Sequence, residues 1–303
     1  MRKLISILLL IPLLCATVFA EEAAPETTAP ALTAAPLAID PTVGANSADE
    51  SGYILDENGN RIGYEDASLR ITMETIEVEN VIYRVARVEV ADASQLRTGL
   101  EDPSRAKKSN YLHVIAQDYN AVLAISADQI VRNEKGYVIR EGKTYRKKYY
   151  KSRDILAIDA NGDFHIVYKS DEDAFEALLN NPECPIVNTF NFGPALVAEG
   201  QVLEMPSYYT QFNLGRPEPR CAIGQTGPLS YILVVVEGRS KESAGATGEQ
   251  LASFMASQGC VTAYNLDGGD TAMMWFGGDY YSARTKRSQS DIIYFGSAVP
   301  VEE

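Results

Sequence analysis

The stretch Tyr231-Ile232-Leu233-Val234-Val235-Val236 is a continuous apolar run, and the polar segment Glu237-Gly238-Arg239 follows it directly. A short run of this kind, rich in β-branched side chains, indicates a strand that is buried on both of its faces. We therefore expect a core strand over residues 231–236. It delivers an acid and an arginine, Glu237 and Arg239, to its carboxyl end.

The segments around this strand predict a mixture of helices and strands. Thr247 and Gln250 form a capping box, which starts a helix that ends at Gly259, and residues 260–266 then predict another strand. The Asn58-Gly59 pair predicts a hairpin turn. Further strands are predicted at 74–80, 81–90, 121–125, 136–140, 154–158 and 164–168, and further helices at 107–119 and 171–180. Because helices and strands do not alternate strictly, we expect an α+β (mixed α/β) fold, a single domain with a mixed β-sheet core and packed helices.

The charge composition restricts the classes of partner. The chain has 303 residues, with 27 Lys and Arg against 41 Asp and Glu, which gives a net charge of −14. Such a surface repels a polyphosphate backbone, so no nucleic acid is expected as a partner, and an anionic substrate needs a local cluster of arginines. The chain has two His, which argues against a His-rich metal centre and points to chemistry by carboxylates and arginines.

The amino terminus predicts export. Arg2 and Lys3 precede an apolar run over 4–19, and Val18-Phe19-Ala20 places small residues at the −3 and −1 positions of a cleavage site. This pattern is typical of a signal peptide over 1–20, with an uncleaved anchor as the alternative. The run is shorter than the ~20 residues of a spanning helix. We therefore expect a secreted or extracytoplasmic, cell-surface-associated protein that has no membrane span after cleavage.

Residues 21–50 have the composition of a tether. They are rich in Ala, Pro and Thr and contain six acidic residues, no basic residue and no aromatic residue. Such a segment buries too little apolar surface to fold, which predicts a disordered acidic linker. The folded domain is then expected over 51–303, and the sequence leaves its oligomeric state open.

A polar, glycine-rich segment follows the predicted strand 260–266. It reads Asn265-Leu266-Asp267-Gly268-Gly269-Asp270-Thr271. Two adjacent glycines allow the backbone to turn sharply and to approach a ligand, and two carboxylates three residues apart can point into one cleft. The alternative is a plain hairpin turn whose Asp side chains are solvated.

Three other segments accompany this one. Residues 192–196 read Phe-Gly-Pro-Ala-Leu, residues 219–224 read Pro-Arg-Cys-Ala-Ile-Gly, and residues 234–239 are the strand end described above. In this order, the four segments resemble the motifs of the phosphodiester glycosidase family. The likeness covers roughly residues 83–298, and the segments 136–140 and 287–293 also look like the bacterial branch of that family. The resemblance implies an enzyme that cleaves a sugar from a sugar 1-phosphodiester.

The resemblance also implies which residues form the site. Positions of the family motifs fall on Asp128, Gly193, Pro194, Arg220, Gly224, Glu237, Arg239, Asn265, Asp267, Gly268 and Gly269. The sequence departs from the motifs most at Ser126 and Ala127, which replace an expected Asn and Gly. Glu237 stands for an Asp, Cys221 for a Thr and Thr271 for a Ser. If the missing Asn and hydroxyl contact the sugar or position the attacking water, activity on the usual substrate of the family is weak or absent.

A glycosyl phosphate has a good leaving group, so its cleavage needs cations more than a strong acid. Asp267 is our first candidate for the carboxylate that activates water or stabilises the transition state, and Glu237 and Asp128 are the second candidates. Arg220, Arg239 and Arg287 are the candidates for binding phosphate. The other predicted substrate-binding residues are Asn265, Gly268, Gly269, Asp270, Thr271, Gly193 and Pro194.

Three alternatives stay open at this point. Asp128, Asp267 and Asp270 could share a divalent cation such as Ca²⁺, since carboxylate oxygens suit hard cations. The domain could be a catalytically impaired module of the same fold that binds a glycan or the cell wall. It could also hydrolyse a different cell-envelope phosphodiester.

Overall fold

The computed structural model describes residues 30–207 and 213–300, and the chain from Leu32 onward forms one compact unit. The predicted signal peptide, residues 21–29 of the predicted linker and residues 301–303 lie outside the described residues. In the described part, the helices are α1 (Leu112–Asp118), α2 (Glu172–Leu179) and α3 (Gly248–Ser257). The strands are β1 (Tyr53–Leu55), β2 (Arg61–Glu65), β3 (Leu69–Val78), β4 (Val81–Val90), β5 (Leu96–Leu100), β6 (Asn110–Tyr111), β7 (Leu123–Ser126), β8 (Val138–Arg140), β9 (Lys143–Arg146), β10 (Ile155–Asp159), β11 (Phe164–Val167), β12 (Ile186–Phe190), β13 (Ala195–Ala198), β14 (Gln201–Val202), β15 (Arg220–Gly227), β16 (Ser230–Val236), β17 (Thr262–Leu266), β18 (Met274–Phe276), β19 (Asp279–Tyr280), β20 (Ser288–Gln289) and β21 (Asp291–Phe295).

Antiparallel sheets build the body of the protein. A nine-stranded sheet has the order β1-β2-β3-β4-β16-β15-β17-β13-β14, and a five-stranded sheet has the order β19-β18-β7-β21-β5. A three-stranded sheet, β11-β10-β12, and the pairs β20-β6 and β8-β9 complete the described part. The predicted core strand is β16, which lies between β4 and β15 near the middle of the large sheet.

The two faces of β16 explain its unbroken apolar sequence. Leu233 and Val235 pack in one cluster with side chains of the five-stranded sheet, among them Ile293. Val234 and Val236 point to the other face, where they pack in a second cluster with Leu251, Met255 and other side chains of α3. Because successive side chains of a strand alternate between its faces, both faces must be apolar here. The prediction of a strand buried on both faces is confirmed.

The fold class is corrected by the structure. The described residues are mainly β, with three α-helices, and all of their strand pairings are antiparallel. The core is therefore not a mixed sheet. The predicted helix over 107–119 is shorter than expected because Asn110–Tyr111 forms β6 instead and pairs with Ser288–Gln289. The capping box of Thr247 and Gln250 starts α3 as predicted.

The predicted linker differs from the structure over residues 33–46, which we name the N-terminal strap. The Ala45 amide donates to the Tyr119 carbonyl at 3.0 Å, and the Tyr119 hydroxyl donates to the Pro41 carbonyl at 2.7 Å. Arg97, which is fully buried, donates to the carbonyls of Ala38 at 3.0 Å and Val43 at 2.9 Å. Backbone carbonyls of the strap and the apolar side chain of Ala45 together attach it to the body.

No helix among residues 30–207 and 213–300 has the length and apolar character needed to cross a membrane.

Candidate active site

The order of strands in the large sheet brings the predicted motifs together. Arg220 begins β15 and pairs with Val236 at the end of β16, and Cys221 pairs with Leu266 at the end of β17. Because neighbouring strands run antiparallel, the start of β15 meets the ends of both partners at one edge of the sheet. The segments that follow β16 and β17 therefore leave the sheet next to Arg220.

A cavity of about 160 Å³ lies at this edge. Its lining includes Phe192, Glu218, Arg220, Arg239 and the turn 267–269. The predicted first-choice carboxylate, Asp267, and the predicted phosphate-binding arginines Arg220 and Arg239 thus share one cavity. The cavity has a mixed charge that the net charge of the chain does not reveal.

Asp267 has the electrostatic character of an acid-base group. Its side chain is partly exposed, but the protein around it raises the pKa of the carboxyl to about 7. The first cause is burial, which disfavours the charged form, and Asp291 and Asp128 add repulsion. The polar side chain of Thr271 and the positive charge of Arg287 oppose the rise. A carboxyl with this pKa exchanges its proton near neutral pH.

The turn after Asp267 lies directly against the chain that precedes β15. The Gly269 amide donates to the Pro219 carbonyl at 2.8 Å, and Gly269 has φ +65°. A Cβ atom on Gly268 would lie 2.8 Å from the same carbonyl oxygen. Glycine is therefore required at both positions, at one by close approach and at the other by backbone conformation.

The predicted residues Gly193, Pro194 and Asn265 lie beside this turn. The Asn265 side-chain amide donates to the Gly193 carbonyl at 2.7 Å, and the Asn265 backbone amide donates to the Pro194 carbonyl at 3.0 Å. Asn265 is buried, and its Oδ1 atom makes no hydrogen bond within the described part of the chain. These contacts fix the segment 192–194 against β17.

The two cavity arginines have different roles. Arg220 is buried, and it donates to the backbone carbonyls of Ala246 at 3.0 Å, Asn213 at 2.8 Å and Arg216 at 2.9 Å. It therefore holds together the loop that walls the cavity. Arg239 is about half exposed, and it pairs with Glu218 at 2.7 Å and with Asp270 at 2.8 Å. Of the two, Arg239 presents its guanidinium to solvent.

The remaining predicted residues of the turn lie around it. The Asp270 carboxylate is exposed and faces Arg239, so it points to the solvent-exposed side of the turn. Thr271 donates to the Gly268 carbonyl at 2.5 Å. Arg287 is exposed, and its charge reaches Asp267.

The structure places Asp128 behind the cavity. Its buried carboxylate accepts hydrogen bonds from the amides of Asn191 at 2.6 Å and Phe192 at 3.1 Å. Arg140 lies 3.6 Å from it, and burial still raises the pKa of this carboxyl above its usual range. Asp128 thus orients the segment that carries Phe192, and it does not line the cavity itself.

Sequence analysis missed two residues, Arg140 and Asp291, that hold Asp128. Arg140 donates to Asp291 at 2.7 Å, and Asp291 accepts from the amides of Asp128 at 3.2 Å and Ile130 at 3.1 Å. All three side chains are buried. Arg140 and Asp291 lie in the segments 136–140 and 287–293, whose likeness to the bacterial branch was the available signal.

Glu237, the other second-choice carboxylate, lies away from the cavity lining. It is buried and contacts Arg84 at 3.3 Å, Arg284 at 3.6 Å and the Ala283 amide at 2.8 Å. The structure therefore does not bring Glu237 and Asp267 together as a catalytic pair. Two arginines and an amide give Glu237 a structural role, which is to hold the loop around residue 283 against the end of β16.

The residues that depart from the family motifs contact the turn that carries Asp267. The Ser126 hydroxyl donates to the Thr271 carbonyl, and the Asp267 amide donates to the Ala127 carbonyl at 3.0 Å. Cys221 packs against Ser126, with its sulfur 3.6 Å from the Ser126 carbonyl oxygen. Ser126 and Ala127 are thus built into the wall that positions Asp267.

The shared cation site is corrected by the structure. Among residues 30–207 and 213–300, no three Asp, Glu, His or Cys side chains are grouped so that they could hold a metal ion. Asp128 faces Arg140 and Asp270 faces Arg239, so the predicted set of Asp128, Asp267 and Asp270 does not converge. The residues present do not fit a divalent cation such as Ca²⁺.

Comparisons with known proteins show which family the sequence matches. The family model described as phosphodiester glycosidase matches residues 119–296. A curated relative, the SPbeta prophage-derived uncharacterized protein YomE of Bacillus subtilis, is 34% identical over 93 residues, which are 31% of this chain and 14% of that protein. The chain therefore spans a small part of the length of this relative.

Two solved structures share the fold. The catalytic domain of zebrafish N-acetylglucosamine-1-phosphodiester alpha-N-acetylglucosaminidase, auto-inhibited by its pro-peptide, matches with a TM-score of 0.61 and 18% identity over 81% of this chain and 87% of that one. A hypothetical protein from Synechocystis matches with a TM-score of 0.56 and 16% identity over 75% of this chain and 62% of that one.

Proposed function

We propose, from the premise that this chain belongs to the phosphodiester glycosidase family, that it hydrolyses a sugar 1-phosphodiester. In this reaction a water oxygen bonds to the anomeric carbon, and the bond from that carbon to the phosphate oxygen breaks. The products are the free sugar and a phosphomonoester. The observation that carries the proposal is Asp267, a carboxyl with a raised pKa in a cavity that also presents Arg239.

Asp267 is proposed as the general base that takes a proton from the attacking water. A base works best when its pKa lies near the working pH, and the pKa of Asp267 is raised to about 7. A phosphate leaving group needs little protonation. One carboxyl is therefore enough, which agrees with the position of Glu237 away from the cavity lining.

Arg239 is proposed as the main phosphate ligand. Its ion pairs with Glu218 and Asp270 lie in a part of the cavity wall that solvent reaches, and such exposed pairs are individually worth only ~0–1 kcal/mol. A phosphate that offers two oxygens to the planar guanidinium can therefore displace Asp270. Arg220 is proposed to act indirectly, by holding in place the loop that forms the wall of the cavity.

The amino-terminal sequence supports a further part of the proposal, that the protein acts outside the cytoplasm after loss of residues 1–20. Its substrate would then be a glycan or glycosyl phosphate of the cell envelope or its surroundings.

The proposal is tested by following free sugar from a synthetic sugar 1-phosphodiester. We expect kcat/KM of the wild-type chain to rise with pH up to about pH 7, because the proposed base must lose its proton. Asp267→Asn should lower kcat by roughly 10²–10⁴-fold and abolish this pH limb. Arg239→Ala should chiefly raise KM, with partial recovery in Arg239→Lys. Asp173→Asn, which changes an exposed carboxylate of α2, is the matched control.

Wild-type turnover no faster than that of Asp267→Asn would contradict the proposal. Binding of the phosphodiester without release of sugar would instead favour the alternative of a glycan- or wall-binding module. Mass spectrometry of the released product distinguishes hydrolysis of a glycosyl phosphate from hydrolysis of another envelope phosphodiester.

A further inference from the structure

A second cavity, of about 370 Å³, lies apart from the lining of the candidate active site. Arg105, Lys107 and Arg146 contribute three positive charges to its wall, and Glu134 contributes the one negative charge. The apolar part of the wall includes Ile130. We name this cavity the basic pocket.

The basic pocket lies in a region whose charge is opposite to that of the whole chain. Residues 105–153 contain 12 of the 27 Lys and Arg of the protein and only four Asp and Glu. Nine of these 12 basic residues are exposed, Arg105 and Lys107 among them. A concentrated positive field on a protein of net charge −14 attracts an anion to one place rather than to the whole surface.

Hydrogen bonds to backbone carbonyls fix the walls of the basic pocket. Lys143 and Tyr145 of β9 donate to the Pro103 carbonyl at 2.8 Å and 2.6 Å, which ties the loop before Arg105 to this strand. Arg146 donates to the carbonyls of Asn133 and Ile130, each at 2.8 Å. The pocket is therefore held in shape without a ligand.

Two of its cations are available to a ligand. The exposed side chains of Arg105 and Lys107 make no hydrogen bond and no ion pair with any residue in the described ranges, 30–207 and 213–300. Arg146 donates its hydrogen bonds to backbone carbonyls and still carries its positive charge, since a guanidinium stays protonated. An anion in the pocket would thus meet two unpaired cations and a third fixed charge.

One short segment joins the basic pocket to the candidate active site. Asp128 holds the amide of Phe192, which lines the active-site cavity. Ile130 and Val131, two and three residues further along, line the basic pocket. Because three residues of extended chain span at most ~11 Å, the segment that holds Phe192 and the segment that lines the basic pocket are close neighbours.

We infer that the basic pocket binds a second phosphate group of a polymeric substrate, a linear chain of sugars or polyols joined by phosphodiesters, while the terminal glycosyl phosphate occupies the active-site cavity. This inference rests on the proposed function. It narrows the substrate class from small phosphodiesters to phosphate-linked polymers.

Binding is measured by calorimetry with a poly(glycerol phosphate) oligomer and the full chain. We expect Arg105→Glu and Lys107→Glu each to weaken binding at least fivefold, and added salt to weaken wild-type binding because it screens exposed charges. Lys169→Glu changes an exposed lysine outside the pocket, and it should bind like the wild-type chain. In parallel, kcat/KM for a polymeric sugar phosphodiester, divided by kcat/KM for one with a single phosphate, should fall at least fivefold in Lys107→Glu.

Equal binding by wild type, Arg105→Glu and Lys107→Glu would overturn the inference. Tighter binding of a DNA oligonucleotide with the same number of phosphates would also overturn it, in favour of a nucleic-acid partner. The calorimetric result does not depend on turnover. Pocket-dependent binding without release of sugar would therefore contradict the proposed function while it supports the pocket.

Discussion

Asp267 shows how a single carboxyl acquires a function from its surroundings. The residue belongs to a turn that looks like an ordinary solvated hairpin in the sequence, but burial raises its pKa, and Asp291 and Asp128, more than 20 and more than 100 positions away, raise the pKa further. Neither neighbour is visible in the local pattern around residue 267. The functional character of this aspartate is therefore a property of the folded chain.

The raised pKa of Asp267 has a consequence for stability that is independent of any substrate. Asp267 has a folded-state pKa of about 7, against an ordinary pKa of 3.8, so between these pH values the native state holds a proton that the unfolded state has lost. The contribution of Asp267 to stability is thus fully present below pH 4 and is lost as the pH rises through 7. Asp267→Asn removes this dependence.

We therefore expect Asp267→Asn to gain in stability relative to the wild-type chain as the pH rises from 5 to 8, by roughly 1–3 kcal/mol of unfolding free energy. Urea denaturation at both pH values measures the difference. Asp173→Asn should keep the same difference from wild type at pH 5 and pH 8. A pH-independent difference for Asp267→Asn would show that the carboxyl is not perturbed.

At the scale of elements, local patterns predicted all three helices of the described residues but only some of the strands. The apolar run of β16 and the capping box of α3 could both be recognised in the sequence because each depends only on residues that are close together in the chain. The helix predicted over 107–119 begins only at Leu112 because Asn110–Tyr111 forms β6, whose partner β20 lies more than 170 residues away. Long-range pairing of this kind has no local signature, and it also made the fold more β-rich than expected.

The candidate site, like the elements, was predictable where it depends on local sequence and not where it depends on contacts between distant residues. The four motif segments meet because β15, β16 and β17 are adjacent and antiparallel, so residues predicted from the motifs share a cavity. The direction of a side chain beyond the end of a strand is not set by alternation, so the sequence did not show that Glu237 faces Arg84 and Arg284. Arg140 and Asp291 were missed because their contact joins positions 151 residues apart.

The turn between β17 and β18 gives the sharpest test at this scale. A Cβ atom on Gly268 would lie 2.8 Å from the Pro219 carbonyl oxygen, whereas one on Gly215 would meet no atom within 4 Å. Gly268→Ala should therefore push the turn away from β15, lower the unfolding free energy by about 1–3 kcal/mol and reduce turnover. Gly215→Ala, in the neighbouring loop, should stay within about 0.5 kcal/mol of wild type.

Chemical denaturation and the sugar-release assay measure the two effects of these glycine substitutions. If Gly268→Ala matched Gly215→Ala in both assays, the close approach of the turn to Pro219 would not constrain the site.

At the scale of the whole molecule, the N-terminal strap changes where the folded unit begins. Its carbonyls accept hydrogen bonds from the buried guanidinium of Arg97 and from the Tyr119 hydroxyl. Its Ala45 packs in the cluster that joins α1 to the five-stranded sheet. The strap therefore supplies additional acceptors to Arg97, which also contacts Glu141, and to Tyr119, whose hydroxyl also donates to the Leu100 carbonyl.

We expect a chain that begins at Ala48 to be less stable than one that begins at Leu32, by about 2 kcal/mol or more, because the buried side chains of Arg97 and Tyr119 lose their strap acceptors and each such loss costs roughly 1–3 kcal/mol. Thermal and urea denaturation of the two purified chains measure the difference, and the chain from Leu32 is the matched control because it retains the strap. Equal midpoints would mean that water replaces the strap carbonyls at no cost, and that the folded unit begins near residue 51 as the composition predicts. A loss of stability together with wild-type kcat in the surviving folded fraction would separate this structural role from the chemistry at Asp267.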